Sequence, residues 1–416
     1  MIKNTEAAIQ TPAISDYEKI VGKNIIHELK LLSKKLKNKK IQCINSTRVG
    51  GGVAEILTCL IPLLNDLGVN ATWDVINADL DYYNVTKAFH NALHGRKADI
   101  TQSMFDKFLS TGESIIKDTK IYGDIVFVHD PQPIMLANKK PKNSKWIWRC
   151  HVDVSNPYPE VWEFLRQFIE KYDSSVFSSP KFARKLSIPQ FLIAPSIDPF
   201  SPKNRELTEC EVHSVLDKYK IDKNKPIIAQ ISRYDYLKDP VGVIETYKLV
   251  KKYIDCQLVL AGNRAADDPE MDKVLAEVME KKGNDPDIHV LMVDPETNDF
   301  DVNALQRGAD VIIQKSIREG FALTVTEALW KAKPVVASAV GGIPLQVTHG
   351  YSGLLCYTIG GAALHVRSLL NSPEYAKRLG QNGKEHIRRN FLSVRHIRDY
   401  LLLFLHLYNP EDIIYL

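Results

Sequence analysis

Short apolar runs of strand length alternate with longer segments of helical periodicity along almost the whole chain. This alternation constrains the fold, because neighbouring parallel strands need a crossover connection, and that connection is usually a helix. The strand-like runs lie near residues 41–45, 69–76, 125–129, 146–151, 175–178, 191–194, 227–232, 256–261, 289–293, 311–314 and 335–338. The pattern therefore predicts an α/β protein built from doubly wound parallel sheets.

Two domains are predicted from the length of the chain and from one proline-rich stretch. A chain of 416 residues exceeds what a single core usually holds. The segment Ala194–Pro202 contains three prolines within eight residues, which prevent a continuous helix and stiffen a linker. We therefore predict one domain over residues 1–198 and a second over 199–391, each with its own sheet. An apolar stripe over about 392–416 predicts a last helix that returns to the first domain.

The charge balance argues against a nucleic-acid-binding protein. The net charge is only +4 for 54 basic and 50 acidic residues. A basic run, Lys34–Lys40, ends an apolar pattern of helical spacing, so it is most simply the solvated face and last turn of an amphipathic helix. A patch for a polyanion is the alternative.

Nothing in the sequence indicates export or a membrane partner. The first 20 residues lack the apolar core of a secretory signal, and the apolar stretch Leu401–Tyr408 is too short to span a bilayer and predicts a buried helix. The six cysteines form no Cys-x-x-Cys pair, and neither they nor the 12 histidines fall at zinc-ligand spacing. We expect a cytoplasmic protein with free thiols and without a bound metal, a membrane partner or a nucleic-acid partner.

The first candidate site is a run of glycines at a predicted strand-to-helix junction. Gly50, Gly51 and Gly52 follow the first strand and open a helix that extends to Asp66. Glycines let a ligand approach the backbone closely, and the N–H groups and dipole of a helix start favour an anion. The run matches neither the Gly-x-Gly-x-x-Gly dinucleotide pattern nor a P-loop, so a tight turn without a ligand is an equal alternative.

Two cations, Arg233 and Lys238, follow the first predicted strand of the second half. At the carboxyl end of a parallel strand they would suit a diphosphate, because Arg can bind two oxygens and Lys adds a point charge. They would also stabilise the negative charge that builds on a leaving phosphate oxygen. The alternative is a pair of surface cations that flank Asp235 and Asp239.

Two glutamates, Glu319 and Glu327, are separated by seven residues at a second predicted strand-to-helix junction. Gly320 marks the bend and residues 323–331 read as a helix, so Glu319 would lie at a cleft and Glu327 one to two turns further on. The backbone N–H groups that open this helix would face a phosphate; they belong to Phe321, Ala322 and Leu323. A solvated helix residue is the plain alternative for Glu327.

Three polar segments of the first half are candidates for a sugar pocket. His129–Pro133 and Arg149–Asp153 each close a predicted strand, which is where cleft residues lie. Tyr83–Leu93 is dense in hydrogen-bonding and aromatic side chains, which suit a ligand rich in hydroxyl groups. A structural histidine and an ordinary helix with its loop are the alternatives.

In their order along the chain, these motifs resemble those of the retaining glycosyltransferases of family 4. The resemblance rests on Gly50–Gly52, His151, Arg233, Lys238 and the pair of glutamates, and it covers nearly the whole chain. That family has the GT-B architecture, in which two Rossmann-like domains face a deep cleft. Within the family, several stretches are similar to the trehalose-forming synthases and to the related trehalose phosphorylases: Asn45–Thr47, Gly50–Leu57, Asn84–Lys87, Phe89–Leu93, Val128–Pro133, Trp148–His151 and Ser316–Phe321.

The resemblance implies transfer of glucose from a nucleoside diphosphate glucose, with UDP, ADP or GDP as the nucleotide, to free glucose. The product would be α,α-trehalose, with the donor's anomeric configuration retained. The family's usual account is a same-face displacement in which the leaving phosphate helps to take the acceptor's proton. Because the protein's own side chains would supply the cations, no Asp-x-Asp motif is needed to bind a metal, and Mg²⁺ would be a stimulant and not a requirement. We expect small-molecule substrates and a homodimer.

The resemblance also assigns a role to each candidate residue of the second half. Arg233 and Lys238 would hold the diphosphate. Glu319 would bind a hydroxyl group of the donor glucose, and Glu327 would bind the ribose.

In the first half, the resemblance places Gly51 and Gly52 against the phosphates and His151 beside the donor sugar. We expect the acceptor side to include polar residues of two segments, namely Asp130, Lys87 and Asn91.

Four alternatives stay open at this point. A trehalose phosphorylase would release glucose 1-phosphate from trehalose and phosphate, and would have no need of a ribose contact by Glu327. Another glycosyltransferase of family 4 would use a different acceptor. A regulator that binds a nucleotide sugar would form no product. A dinucleotide-dependent dehydrogenase is disfavoured because no Gly-x-Gly-x-x-Gly follows a predicted strand.

Overall fold

The computed structural model describes residues 12–48, 51–96, 99–263, 271–294 and 297–411. Within these ranges, twelve strands form two six-stranded sheets in which every paired strand is parallel to its neighbour. The first sheet contains β1 (Lys40–Asn45), β2 (Asn70–Val75), β3 (Ile125–His129), β4 (Lys145–Arg149), β5 (Ser174–Phe177) and β6 (Gln190–Leu192). The second contains β7 (Ile227–Ile231), β8 (Gln257–Gly262), β9 (Ile288–Met292), β10 (Val311–Gln314), β11 (Val335–Ser338) and β12 (Leu354–Cys356).

Helices connect the strands in both halves. Within the described ranges they are α1 (Glu18–Val21), α2 (Lys23–Lys34), α3 (Gly51–Asp66), α4 (Leu80–Leu93), α5 (Gln102–Asp118), α6 (Pro159–Ile169), α7 (Glu209–Lys218), α8 (Pro240–Lys251), α9 (Met271–Lys282), α10 (Asn298–Gly308), α11 (Leu323–Trp330), α12 (Ile343–Gln346), α13 (Ile359–Asn371), α14 (Pro373–Asn390) and α15 (Ser393–Tyr408). The predicted α/β fold with doubly wound parallel sheets is confirmed.

The inner strands are buried on both faces, which explains why they read as continuous apolar runs. Along β3, Ile125 and Phe127 contribute to one apolar cluster, whereas Val126 and Val128 contribute to another on the opposite face. Alternate side chains of a strand point to opposite faces, so each residue of such a run meets a core. An exposed face would have produced an alternating pattern instead.

Strand order places one switch point in each sheet. The first sheet has the order β2-β1-β3-β4-β5-β6 and the second has β12-β11-β10-β7-β8-β9. The chain therefore starts each sheet in its interior and changes direction between β1 and β3, and again between β7 and β10. Ligands of open parallel sheets bind beyond the carboxyl ends of the strands at such points.

The last helix, α15, packs against the first half of the chain, as its apolar stripe predicted. It contacts α2 and α3, and the rings of Tyr400 and Phe404 lie 4.9 and 5.9 Å from the ring of Phe127 in β3. The apolar stretch Leu401–Tyr408 forms part of it, and its first five residues are buried. The division of the chain at residues 198 and 199 stays a prediction.

The chain crosses between the two halves twice, and the two crossings are hydrogen-bonded to each other. The Ile197 N–H donates to the Phe391 carbonyl at 3.0 Å, and the Ser393 N–H donates to the Ile197 carbonyl at 3.0 Å. The proline-rich linker and the segment before α15 therefore meet at one place.

Two local features differ from the sequence-based expectations. Strand β12 was not predicted, because it is only three residues long and follows a turn rather than a long apolar run. Helix α2 ends at Lys34, so most of the basic run Lys34–Lys40 lies in a turn and its last residue begins β1. The run therefore contains the last residue of α2 and the connection to β1. The solvated helix face that the pattern predicted accounts for only a part of it.

All six cysteines are unpaired thiols. In the ranges that the structure describes, none of the helices combines the length and the apolar character that a membrane span requires.

Candidate active site

Most candidate residues lie after strands at or next to the two switch points. Gly51 and Gly52 are the first two residues of α3, which follows β1. The other candidates at strand ends are Asp130 after β3, His151 after β4, Arg233 and Lys238 after β7, and Glu319 after β10. Because the strands are parallel, residues that are distant in the sequence come together at the carboxyl ends of the strands. These ends of the two sheets face each other.

The two halves touch at these edges through glycines. A Cβ atom on Gly52, in the first turn of α3, would lie 3.1 Å from Leu323 Cδ1 at the start of α11. A Cβ atom on Gly320 would lie only 2.4 Å from the carbonyl oxygen of His151. Real Cβ atoms do not approach a carbonyl so closely, so position 320 requires glycine for the halves to meet as they do. The starts of α3 and α11 face each other across a closed cleft.

Both helix starts present backbone donors to this cleft. Gly50 lies outside the described residues, while Gly51 opens α3 with a φ of +78°. Ala322 precedes α11 with a φ of +72°, and no side chain of the described part of the chain caps that helix. Phe321 is buried, and its carbonyl accepts a hydrogen bond from the Gln346 amide. The N–H groups of the first helical turn have no partner within the helix and favour an anion.

Lys238 and Glu319 form an ion pair at the same edge. The Lys238 ammonium contacts Glu319 Oε2, and the Gln230 amide fixes the turn by donating to the Lys238 carbonyl at 3.0 Å. Glu319 is almost buried, whereas 18% of the Lys238 side chain is exposed. The structure therefore brings together the cation predicted for the diphosphate and the carboxylate predicted for the sugar.

Arg233 lies beside this pair and faces the first half. Its guanidinium is 3.6 Å from Asp235 Oδ2, and 42% of its side chain is exposed, so a ligand can reach it. Across the cleft, the pKa of His90 is lowered to about 3, mainly by burial and then by the charges of Lys87 and Arg233. Arg233 is thus close to α4 of the first half.

One face of α4 is directed at the cleft, and it carries polar residues at helical spacing. Lys87 and Asn91, both predicted for the acceptor side, lie one turn apart on this helix, with His90 between them. His94 follows α4, and its pKa is well below the usual value because of burial and then because of the nearby His90 and Lys238. His90 lies within the segment Tyr83–Leu93 that the sequence indicated, whereas His94 was missed, although it follows His90 by four residues.

The loops after β3 and β4 hold each other in place. Asp130 has a φ of +63°, and its carboxylate accepts a hydrogen bond from the His151 N–H at 2.8 Å. The ring nitrogens His129 Nδ1 and His151 Nε2 are 3.1 Å apart, and burial holds the pKa of both imidazoles far below the usual value. Burial also raises the pKa of Asp130 to about 7. The first half therefore presents largely neutral hydrogen-bonding groups.

Two further cations of the second half were missed by sequence analysis. Lys315 follows β10 and forms an ion pair with Asp239, which also caps α8 by accepting from the Gly242 N–H at 3.1 Å. Arg318 Nη1 is 4.0 Å from Asp153 Oδ2 of the first half. The rule that identified Arg233, a cation just after a strand, would have identified Lys315 as well.

Glu327 lies one turn into α11 and is only 1% exposed, so its interpretation as a solvated helix residue is wrong. Its Oε2 accepts from the Gln306 amide at 3.4 Å, and its Oε1 is 3.9 Å from Lys203 Nζ. Burial raises the pKa of Glu327, and the charge of Lys203 opposes that rise. A carboxylate in this position can accept charge-assisted hydrogen bonds from a polar group.

The described residues contain no group of three or more His, Cys, Asp or Glu side chains positioned to hold a metal. That the reaction needs no metal stays a prediction.

Two protein-family models match the chain. Residues 43–184 match the trehalose synthase N-terminal domain, and residues 214–386 match the glycosyl transferases group 1. The first match covers the loops with the glycines, Asp130 and His151. The second covers the loops with Arg233, Lys238 and Glu319.

Curated relatives match most of the length of the chain. A trehalose synthase of Pyrococcus horikoshii is 43% identical over 93% of this chain and 95% of its own length. A trehalose phosphorylase of Grifola frondosa is 31% identical over 90% of this chain but only 58% of its own length. Among solved structures, a UDP-forming α,α-trehalose-phosphate synthase from Burkholderia xenovorans superimposes with a TM-score of 0.72 over 88% of this chain, at 13% identity. At that identity the structural match supports the GT-B fold alone.

Proposed function

This chain belongs to the trehalose synthase family of glycosyltransferases, and on that premise we propose that it transfers glucose from a nucleoside diphosphate glucose to free glucose. The product is α,α-trehalose, formed with retention at the donor's anomeric carbon. The residues of the cleft divide this work between donor and acceptor.

The observation that carries the proposal is the ion pair between Lys238 and Glu319 at the start of α11. A donor sugar nucleotide carries hydroxyl groups on one side of the scissile bond and a diphosphate on the other. On donor binding, the Lys238 ammonium turns to the diphosphate and the Glu319 carboxylate accepts from a sugar hydroxyl. One pair of side chains thus binds both sides of the bond that breaks.

Charge stabilisation follows from the cations around this bond. As the sugar leaves, negative charge builds on the phosphate oxygen, and groups that bind this charge more strongly in the transition state accelerate the reaction. Lys238 and Arg233 bind the diphosphate from one side, and the N–H groups at the starts of α3 and α11 bind it from the other.

Retention is expected to follow from a same-face displacement. A double displacement needs a carboxylate nucleophile close to the anomeric carbon. Asp130 accepts from the His151 N–H, and in this proposal Glu319 accepts from a hydroxyl group of the donor sugar, so neither carboxylate is assigned the role of nucleophile. The leaving phosphate oxygen then takes the proton of the acceptor hydroxyl as the new glycosidic bond forms on the same face.

The first half supplies the acceptor side. We propose that Asp130, Lys87 and Asn91 bind the acceptor glucose and that His151 lies beside the donor sugar. Neutral imidazoles and the Asp130 carboxyl group, whose pKa burial raises to about 7, can donate and accept hydrogen bonds to hydroxyl groups without attracting a second anion. The closed cleft excludes water and so limits hydrolysis of the donor.

Several further expectations belong to the same proposal. The protein's own cations replace a metal, and Mg²⁺ stimulates the reaction without being required. The protein acts in the cytoplasm as a homodimer and has small-molecule substrates only.

The proposal is tested by incubating the purified protein with glucose and each of UDP-, ADP- and GDP-glucose in the presence of EDTA. We expect a non-reducing disaccharide whose α,α linkage is read by NMR, with at least one of the three donors. Release of free glucose and nucleotide without a disaccharide would contradict the proposal. Saturable donor binding without any product would identify a regulator instead.

A trehalose phosphorylase is the second candidate, because a relative of that name is 31% identical over most of this chain. It would form glucose 1-phosphate from trehalose and phosphate without a nucleotide. A buried, cation-paired Glu327 favours the synthase, since a ribose ligand is absent from phosphorolysis. Incubation with trehalose and phosphate, with and without added nucleoside diphosphate, separates the two.

A further inference from the structure

Lys203 lies between three carboxylates that come from three different helices. Its Nζ is 2.7 Å from Glu55 Oε2 on α3, 3.7 Å from Asp299 Oδ1 on α10 and 3.9 Å from Glu327 Oε1 on α11. Glu55 belongs to the helix that follows the glycine run, whereas the other two carboxylates belong to the second half. One ammonium group therefore joins the two halves beside the carboxylate proposed for the ribose.

The backbone around Lys203 is fixed to the second half. The Asn303 side chain on α10 donates to the carbonyls of Pro202 and Arg205, at 2.9 Å each. Arg307 on the same helix donates to the Arg205 carbonyl at 2.9 Å. Because its neighbours on both sides are held by α10, Lys203 belongs to the second half and reaches out to Glu55 in the first.

Glu327 keeps acceptor capacity for a ligand in spite of these neighbours. The distance of 3.9 Å from Lys203 is too long for a hydrogen bond, so the ammonium attracts Oε1 without occupying it. The Gln306 amide donates to Oε2 at 3.4 Å, and Lys331 Nζ donates to the Gln306 oxygen at 2.8 Å. The contact with Lys331 fixes which end of the Gln306 amide faces Glu327.

Burial and the Lys203 ammonium act on the charge of Glu327 in opposite directions. Burial raises the pKa of Glu327, and the largest opposing influence is the ammonium of Lys203, followed in the same direction by Lys331. Glu55 and Asp299 act against ionisation because they are like charges. A ribose diol binds an ionised carboxylate more strongly than a neutral carboxyl group, since the ionised form accepts both hydroxyl hydrogens.

We propose that Lys203 is a positioning residue that keeps Glu327 ionised for the ribose of the donor and, through Glu55, makes ribose binding depend on the closed cleft. This inference rests on the proposed function, because it takes a nucleoside as the ligand of Glu327. The ribose hydroxyls donate to Glu327, while the ammonium stays with Glu55. Opening of the cleft moves Glu55 away and leaves the ammonium to pair with Glu327 directly, in competition with the ribose.

The test compares two ligands that differ in the ribose. The affinities of UDP, ADP or GDP, whichever binds most tightly, and of inorganic pyrophosphate are measured by calorimetry on the wild-type protein and on Lys203→Met. We expect Lys203→Met to weaken nucleotide binding about tenfold or more and pyrophosphate binding less than twofold. Lys203→Arg should recover most of the loss. Equal losses for both ligands, or no loss, would overturn the inference.

A matched control separates this effect from the general loss of a lysine. Lys218 forms an ion pair of the same length, 2.7 Å, with the buried Asp301, but both residues belong to the second half. Lys218→Met should leave both affinities unchanged. A nucleotide-specific loss in this control as well would overturn the inference.

The link to the first half is tested by a double-mutant cycle. Glu55→Gln should weaken nucleotide binding about fivefold, because the ammonium is released towards Glu327. In the presence of Lys203→Met, the same change should have almost no effect. Fully additive losses would contradict the coupling.

These measurements need no turnover, so they can fail independently of the proposed function. A protein that forms no trehalose but shows the Lys203 dependence of nucleotide binding would keep this inference and lose the proposed activity. A protein that forms trehalose with Lys203-independent nucleotide binding would do the reverse.

Discussion

The cleft edge of the second half is charged, whereas the cleft edge of the first half is largely neutral. In the second half, Lys238 and Lys315 pair with carboxylates and Arg233 is open to a ligand. In the first half, burial keeps His129 and His151 far below their usual pKa. The same sheet topology therefore provides two different chemical surfaces, one suited to a diphosphate and one suited to hydroxyl groups.

This difference follows from the local sequence after each strand and not from the fold. Both sheets have the same kind of switch point, and both present helix starts to the cleft. The second half places lysines and an arginine in short turns near the surface. The first half places histidines and an aspartate at strand ends that are covered by neighbouring loops. Substitutions at the two edges should consequently affect different steps.

The largest effect is expected from Lys238→Ala. Loss of the ammonium removes the positive charge at the leaving phosphate and leaves Glu319 without its partner, so kcat should fall about 10³-fold. Lys225→Ala is the control, because Lys225 forms a 2.9 Å ion pair with Asp287 elsewhere in the same half. Steady-state kinetics should show normal activity for the control. A fall of less than tenfold in Lys238→Ala would show that the charged edge does not stabilise the transition state.

A smaller loss is expected from Gly320→Ala, which tests whether the two edges must meet. The added Cβ would lie 2.4 Å from the His151 carbonyl and would push the halves apart, so kcat/KM should fall about 10²-fold. Gly360→Ala is the control, because no atom lies within 4 Å of its added Cβ. An active Gly320→Ala enzyme would show that catalysis tolerates a wider cleft.

The raised pKa of Asp130 in the first half predicts that the stability of the protein depends on pH through this carboxyl group. Burial raises the pKa of its carboxyl group to about 7 in the folded state, so the folded protein binds more protons than the unfolded chain between about pH 4 and 7. Stability is therefore lost as the pH rises through this window. Relative to the wild type, Asp130→Asn should gain about 2 kcal/mol in free energy of unfolding between pH 5 and pH 8.

Urea unfolding at the two pH values measures this gain. Asp81→Asn, an exposed residue in the first turn of α4, is the control and should follow the wild type. An unchanged pH dependence in Asp130→Asn would mean that the carboxyl group is ionised at neutral pH, and the first half would then be charged as well.

The smallest effect is expected at the acceptor side. Lys87→Ala or Asn91→Ala should raise the KM of glucose about fivefold, which corresponds to about 1 kcal/mol, because one hydrogen bond to a hydroxyl group is lost. The affinity for the nucleoside diphosphate should not change. Lys117→Ala, an exposed lysine of α5, is the control. A change in nucleotide affinity instead would assign these residues to the donor.

Much of the fold was predictable because the inner strands of both sheets are buried. The strands Ile125–His129, Val311–Gln314 and Val335–Ser338 agree with the prediction to the residue. Charged residues bound the first two runs, and Pro334 precedes the third. The short strand Leu354–Cys356 was not predictable in this way. Its pairing with β11 and not its composition determines that it is a strand.

The candidate site was predictable where a residue's position in the chain determines its place. Arg233 and Glu319 lie near the carboxyl ends of strands, and parallel sheets bring such ends together. Lys203 could not be found by that rule, because it lies in the linker and meets Glu55 and Glu327 only through the packing of three helices. The burial of Glu327 likewise depends on α10, which no pattern around Glu327 reveals.

The paired crossings at Ile197 and Leu392 determine how hybrids with relatives must be built. Because α15 lies against Phe127 of the first sheet, a hybrid joined once within residues 194–202 would set a foreign helix on that sheet. A hybrid with one junction in each crossing would keep each sheet with its own covering helices. To exchange the nucleotide preference between two relatives, the segment between the two crossings should be replaced, while both terminal segments of the recipient protein are kept.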